Sequence, residues 1–130
     1  MKKFDNFNSN LSVLLMADQQ DLNNTFVTSG IIDKFYIQFE LAWKVLKELL
    51  MYEGRVEAAS GSPRQIIKTA YEVWDFMDEE IWLDMFADRN LVTHLYDEKA
   101  AMTLVDHILN RYIPEFCQLQ SFVSEQYPEL

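Results

Sequence analysis

Within one short stretch, Arg89-Asn90-Leu91-Val92-Thr93-His94, the chain places a guanidinium, an amide and an imidazole where an apolar helix face should continue. Histidine titrates near neutral pH and can take up or release a proton in a reaction. Arginine can clamp a phosphate through two parallel hydrogen bonds. That pairing suits phosphodiester cleavage without a metal. One chain supplies only one such histidine, whereas an acid and a base are both needed. A two-fold dimer would bring in the second. Tyr96 follows two residues later, immediately before Asp97. Its hydroxyl is a poor nucleophile at neutral pH unless something activates it.

The same residues also suit a structural role. Arg89 follows the acidic stretch Glu72, Asp75, Asp78, Glu79, Glu80, Asp84 and Asp88, and can pair with any of these. Asn90 can end a helix, and His94 can be a satisfied core histidine. Buried polar groups are unfavourable unless paired, so the segment is a hydrogen-bonded network, an interface or a site. The other histidine, His107, lies beside Asp106 and Asn110 and reads as surface. Cys117, without a second cysteine to bridge to, reads as a small core residue of the last helix.

The elements that must position these residues are helical. Apolar residues make up 49% of the 130, enough for a core, while glycine and proline number three each, too few for repeated tight hairpins. Five segments show the helical period. The first spans about Phe4 to Gln20, with Phe4, Phe7, Leu11, Leu14 and Leu15 on one face. A polar stretch, Asp21 to Ser29, follows and should contain the loop. The second spans about Ile31 to Glu53, with Ser29 as N-cap and Gly54 as stop; its broad apolar face makes it central. Ser62-Pro63-Arg64-Gln65 reads as a capping box with proline in the first turn, opening a third helix through Trp74. The fourth starts near Asp78, buries Trp82, Met85 and Phe86, and brings Arg89, Asn90 and Thr93 to that face. The fifth is capped by Asp97 and should kink or break at Pro114, with helix resuming beyond. The expected fold is an all-α, up-and-down antiparallel bundle of about five helices, one domain over residues 1–130.

The net charge of −10 opposes nonspecific attraction to nucleic acid, so any action on RNA must come from a local site. No run approaches the ~20 apolar residues that span a bilayer. The basic start Met1-Lys2-Lys3 is followed by Asp5, Asn6, Asn8 and Asn10, which break up the apolar run a signal peptide needs. The expected location is the cytoplasm. No metal-ligand spacing is present, and neither metal nor cofactor is expected.

The segment Arg89 to Tyr96 resembles the Arg-x-x-x-x-His-x-Tyr signature of HEPN domains, the helical partners of minimal nucleotidyltransferases in prokaryotes. Phe39-Glu40-Leu41-Ala42-Trp43-Lys44-Val45-Leu46-Lys47 followed by Gly54 is similar to the hallmark of their nucleotidyltransferase substrate-binding branch. Ser62-Pro63-Arg64, Trp82, Met85 and Tyr96-Asp97 extend the likeness over nearly the whole chain. The resemblance implies a helical bundle, a homodimer and a partner minimal nucleotidyltransferase, often encoded next door in a toxin–antitoxin-type gene pair. It implies two competing roles. One is an accessory subunit that receives the partner's substrate, a nucleotide or RNA, with Trp43 and Lys44 as contacts. As residues of a central helix, these two also suit a packed aromatic and a surface lysine. The other role is a metal-independent endoribonuclease toxin using Arg89, Asn90 and His94 across the dimer. In such pairs the nucleotidyltransferase can act as antitoxin by adding AMP to the tyrosine matching Tyr96. The Phe39 to Lys47 hallmark favours the accessory subunit.

Overall fold

The computed structural model describes residues 1–91 and 97–130, and among them there is helix and no strand. Helix α1 spans Lys2–Leu14 and ends in a short 3₁₀ turn, Ala17–Gln19. Helix α2 spans Thr25–Tyr52, followed by a 3₁₀ turn at Val56–Ser60. Helices α3, Pro63–Val73, and α4, Glu79–Asn90, come next. Helix α5, Glu98–His107, runs through a π turn, Ile108–Tyr112, into α6, Ile113–Gln126. The described chain is therefore an all-α bundle of five helical segments, the last of them 98–126.

Boundaries follow capping chemistry. Ser62 Oγ accepts from the Gln65 N–H while Gln65 Oε1 accepts from the Ser62 N–H, and Pro63 occupies the first turn where its missing N–H leaves nothing unpaired. Asp78 Oδ1 accepts from the Ile81 N–H, and Asp97 Oδ1 from those of Lys99 and Ala100. Gly54 stops α2 at φ +84°, a left-handed conformation that a side chain would strain. The start of α2 departs from expectation. Asn24, not Ser29, is the cap, accepting from the Phe26 and Val27 N–H groups. The polar stretch thus holds both the connection, up to Asn24, and the first turn of α2, where Thr25 and Phe26 are exposed and Thr28 is buried. In the first segment Leu15 lies beyond α1 and is exposed, and Asn10 takes a buried place instead.

Helix α2 is the centre of the bundle and packs against α1, α3, α4 and α5. Phe35, Phe39, Ala42, Val45, Leu46, Leu49 and Leu50 are all essentially inaccessible to solvent. Around them close Phe7 and Leu11 from α1, Ile66 and Ile67 from α3, Trp82 and Met85 from α4, and Tyr112, Phe116 and Leu119 from the last segment. The α1–α2 seam also holds a polar pair. Asn10 Nδ2 donates to Gln38 Oε1 at 2.6 Å and Gln38 Nε2 donates to the Phe7 carbonyl at 3.0 Å. Each buried amide is thereby satisfied, and the pair sets the register of α1 on α2.

Pro114 neither breaks nor ends the last segment. A proline ring clashes with the carbonyl four residues back and offers it no N–H. The chain answers by widening one turn: the Ile113 N–H bonds the Ile108 carbonyl, five residues back. That turn carries Arg111 and Tyr112 onto α4. Among the described residues no helix is long and apolar enough to cross a membrane.

Candidate functional site

The last turn of α4 is held from outside and from within. Tyr112 is fully buried, stacks on Phe35 with centroids 5.3 Å apart, and donates its hydroxyl proton to Asp88 Oδ2. Burial first, and the bond to Asp88 second, push the Tyr112 hydroxyl pKa well above its ordinary value, so it stays a donor. His107 brings Nδ1 within 3.6 Å of the same carboxylate, and Arg111 bonds Asp84 at 2.9 Å. His107 is therefore a half-buried partner of α4 and not a free surface residue. Arg89 follows Asp88 directly, so this clamp fixes the point from which Arg89 is presented.

Arg89 crosses to α2. Its guanidinium carbon lies 4.7 Å from the centroid of the Tyr36 ring, and its Nε approaches Glu40 Oε1 at 3.5 Å. Nε is buried, and among the described residues no hydrogen-bond partner meets it. The contact with Glu40 is thus ionic at a distance, without hydrogen-bond geometry. The other Glu40 oxygen accepts from Trp43 Nε1 at 3.1 Å. Lys44 Nζ sits 5.8 Å from the centre of the Trp43 ring. Arg89, Tyr36, Glu40, Trp43 and Lys44 form one continuous cluster along α2 at the edge of the core, against which Tyr36 and Trp43 pack.

The cluster opens on a groove of about 630 Å³ between α1 and α2. Asn6 and Val13 line it from α1, and Lys34, Ile37, Glu40 and Leu41 from α2, with Arg89 at its side. The wall is apolar along Val13, Ile37 and Leu41 and cationic at Lys34 and Arg89. A flat or aliphatic group bearing negative charge fits that lining. A larger groove, about 790 Å³, lies between the starts of α2 and α5. It sets Asp33, Asp97 and Glu98 against Lys99, which disfavours an anion. Among the described residues no group of three or more His, Cys, Asp or Glu can hold a metal ion.

The sequence-predicted residues divide accordingly. Arg89, Trp43 and Lys44 are brought together, through a residue not singled out beforehand, Glu40. Asn90 is exposed at the end of α4: one helical step turns it about 100° away from Arg89 and out of the inward face. His94 and Tyr96, with Thr93, lie outside the described residues. Tyr36 and Glu40 were missed because their pairing with Arg89 spans the bundle. The available signal was local: Glu40 is three residues before Trp43, a spacing at which helical side chains meet. A family model described as "Nucleotidyltransferase substrate binding protein like" matches residues 1–125. No curated protein matches the chain.

Proposed function

Because this chain belongs to the nucleotidyltransferase substrate binding protein like family, we propose that it is the substrate-binding subunit of a two-protein system whose catalytic half is a minimal nucleotidyltransferase. The observation that carries this reading is the Glu40 carboxylate, which ties Trp43 and Arg89 into one cluster beside an open groove. A phosphate-bearing substrate would find Arg89 and Lys34 there, with apolar wall between them. The chain supplies recognition, and the partner supplies metal, nucleotide and transfer chemistry. A gene pair of this kind fits a toxin–antitoxin arrangement.

The second reading is a metal-independent endoribonuclease built on Arg89, Asn90 and His94; the exposed position of Asn90, turned out of the inward face of α4, counts against it.

Co-expression with the nucleotidyltransferase encoded beside it tests both readings. The binding-subunit reading expects a stable complex that protects the groove residues, with substrate affinity lost in Arg89→Ala. If the chain alone cleaves RNA in the presence of EDTA and loses that activity in His94→Ala, the nuclease reading replaces it. An added mass matching AMP, absent in Tyr96→Phe, would place Tyr96 as the residue the partner modifies.

A further inference from the structure

The groove beside Arg89 holds two hydrogen-bond acceptors whose orientation the fold has already decided. The first is on Asn10, which lines the groove although it is only 9% exposed. Its Nδ2 donates to the Lys34 carbonyl at 3.0 Å and to Gln38 Oε1 at 2.6 Å. A backbone carbonyl can only accept, so the amide cannot turn over. Both Nδ2 protons are used in the α1–α2 seam, and among the described residues nothing donates to Oδ1. Arg89 Nε is the one fully buried side-chain nitrogen or oxygen without a partner among those residues, so Asn10 Oδ1 reaches open space. The second acceptor is on Glu40. Its Oε2 accepts from Trp43 Nε1 at 3.1 Å, and an indole N–H can only donate. That bond fixes which oxygen is left. Oε1 meets Arg89 Nε at 3.5 Å without hydrogen-bond geometry, so it keeps its lone pairs for a donor in the groove.

Charge and shape say what brings the donors. Glu40 and Arg89 together carry no net charge, so Lys34 gives the groove its positive sign. Without Arg89, Glu40 would cancel it. Lys34 and Asn10 stand together at one end, joined through the Lys34 carbonyl. Glu40 follows six residues along α2, about 9 Å at the helical rise, with Ile37 and Leu41 as apolar wall. A ligand that meets all of this has negative charge at one end and a hydroxyl beside it. It has a flat apolar middle and an N–H donor at the far end. A ring amine joined through a sugar to a phosphate has those parts in that order.

We propose that Glu40 and Asn10 make this groove specific for an amine-bearing ring phosphate, an adenine or cytosine nucleotide. Lys34 takes the phosphate, Asn10 Oδ1 accepts from a sugar hydroxyl, and Glu40 Oε1 accepts from the ring amine. The ring lies against Ile37 and Leu41. A keto group in place of the amine would set oxygen against oxygen and leave both unpaired. Trp43 is a positioning residue: it decides which atom of residue 40 faces the ligand. Glu40 and Asn10 have these roles only if the groove is the ligand site of the binding-subunit reading, and the catalytic partner is not needed for them.

Calorimetric titration of the whole chain with AMP, IMP, CMP, UMP and ribose 5-phosphate tests this. AMP and CMP are expected to bind about tenfold or more tighter than IMP and UMP, which carry a keto group where the amine stands. Ribose 5-phosphate should bind more weakly than either amine-bearing nucleotide, and 2′,3′-dideoxy-AMP more weakly than AMP. In Glu40→Gln, Trp43 Nε1 still needs an acceptor and holds the amide oxygen, which turns the amide NH2 to the groove. The preference should then invert, toward IMP and UMP. In Glu40→Gln combined with Trp43→Phe the amide can turn, and the two classes should bind alike. Equal affinity for amine and keto nucleotides in the parent overturns the proposal. So does a Glu40→Gln chain that binds every phosphate more tightly by the same factor, because that carboxylate acts only through its charge. Ribose 5-phosphate binding as tightly as AMP overturns the ring assignment, and dideoxy-AMP binding as tightly as AMP overturns the role of Asn10. No binding of any probe, by a chain that still forms a complex with the nucleotidyltransferase, overturns the proposal and leaves the binding-subunit reading standing. Amine selectivity in a chain that forms no such complex supports the proposal and removes the paired subunit.

Discussion

Glu40 sits between two residues whose functions would otherwise be argued separately, and its energetics decide how a variant should be read. The Arg89 and Glu40 side chains are 34% and 37% exposed, in a range where solvent screens an ion pair strongly. Breaking it should therefore change stability by less than ~1 kcal/mol. Glu40→Gln and Arg89→Ala are expected to unfold in urea within that margin of the parent, so a loss of ligand binding in either reflects the site and not the fold. Glu115 behaves differently. It is buried and accepts from Trp82 Nε1 at 3.3 Å; burial raises its pKa, the Trp82 bond offsets only part of that rise, and the Asp78 charge adds a smaller push upward. A carboxyl whose pKa is higher folded than unfolded favours folding while protonated, and that contribution is lost as pH rises through the folded value. Glu115→Gln keeps an acceptor for Trp82 without the charge. Its melting temperature relative to the parent is expected to rise from about pH 4 to pH 7. A difference that stays flat with pH would show that Glu115 is solvated as well in the folded chain as in the unfolded one.

The elements owe their positions to a few local contacts, and these are also where the sequence could be read. The capping box at Ser62, the carboxylate caps at Asp78 and Asp97 and the left-handed Gly54 are each set by neighbours within a few residues, and each boundary lies where its residues place it. Ser62→Ala should accordingly lower stability by ~1 kcal/mol, and Ser62→Asp should recover most of it, by thermal or urea unfolding. The start of α2 is not fixed by local sequence, because two good caps, Asn24 and Ser29, compete within one polar stretch, and only burial of Thr28 and Ile31 against the bundle decides between them. Trp82 and Met85 announced the inward face of α4 by their spacing, and Arg89 announced itself by interrupting it. What answers Arg89 was not legible: Tyr36 and Glu40 lie about fifty residues upstream, and an ion pair across a bundle leaves no period. The π turn was half legible. Pro114 predicts a disturbance, but only the packing of Tyr112 against Phe35 and Asp88 selects a widened turn over a break. Pro114→Ala removes the clash but not that packing, so the clamp on α4 is expected to persist, readable as an unchanged environment for His107 by NMR. A helix that straightens and releases His107 from Asp88 would show that the proline, and not the clamp, holds the turn open.

At the scale of the whole molecule the charge is as directional as the packing. Seven of the 21 acids fall between Glu72 and Asp88, along α3, the turn after it and α4, whereas Lys34, Lys44 and Arg89 lie along the α2 side of the site. The acidic stretch ends at Asp88, directly before Arg89, so a polyanion extending from the groove along α4 meets repulsion. Nonspecific affinity for single-stranded RNA arises from phosphates neutralised, and it typically reaches a Kd of about 10⁻⁴ to 10⁻⁶ M at physiological salt. A net charge of −10 should keep this chain weaker than about 10⁻⁴ M. A small anion meets less of that field, because within a Debye length of about 8 Å it sees the groove cations and little of α4. On charge alone a compact phosphate-bearing ligand is favoured over a strand, in keeping with the proposed binding subunit. Fluorescence anisotropy with a labelled oligonucleotide, at two salt concentrations, measures this directly. Binding tighter than micromolar with a steep loss on adding salt would mean that the described surface is not the one RNA sees, and would move the reading back toward a nuclease.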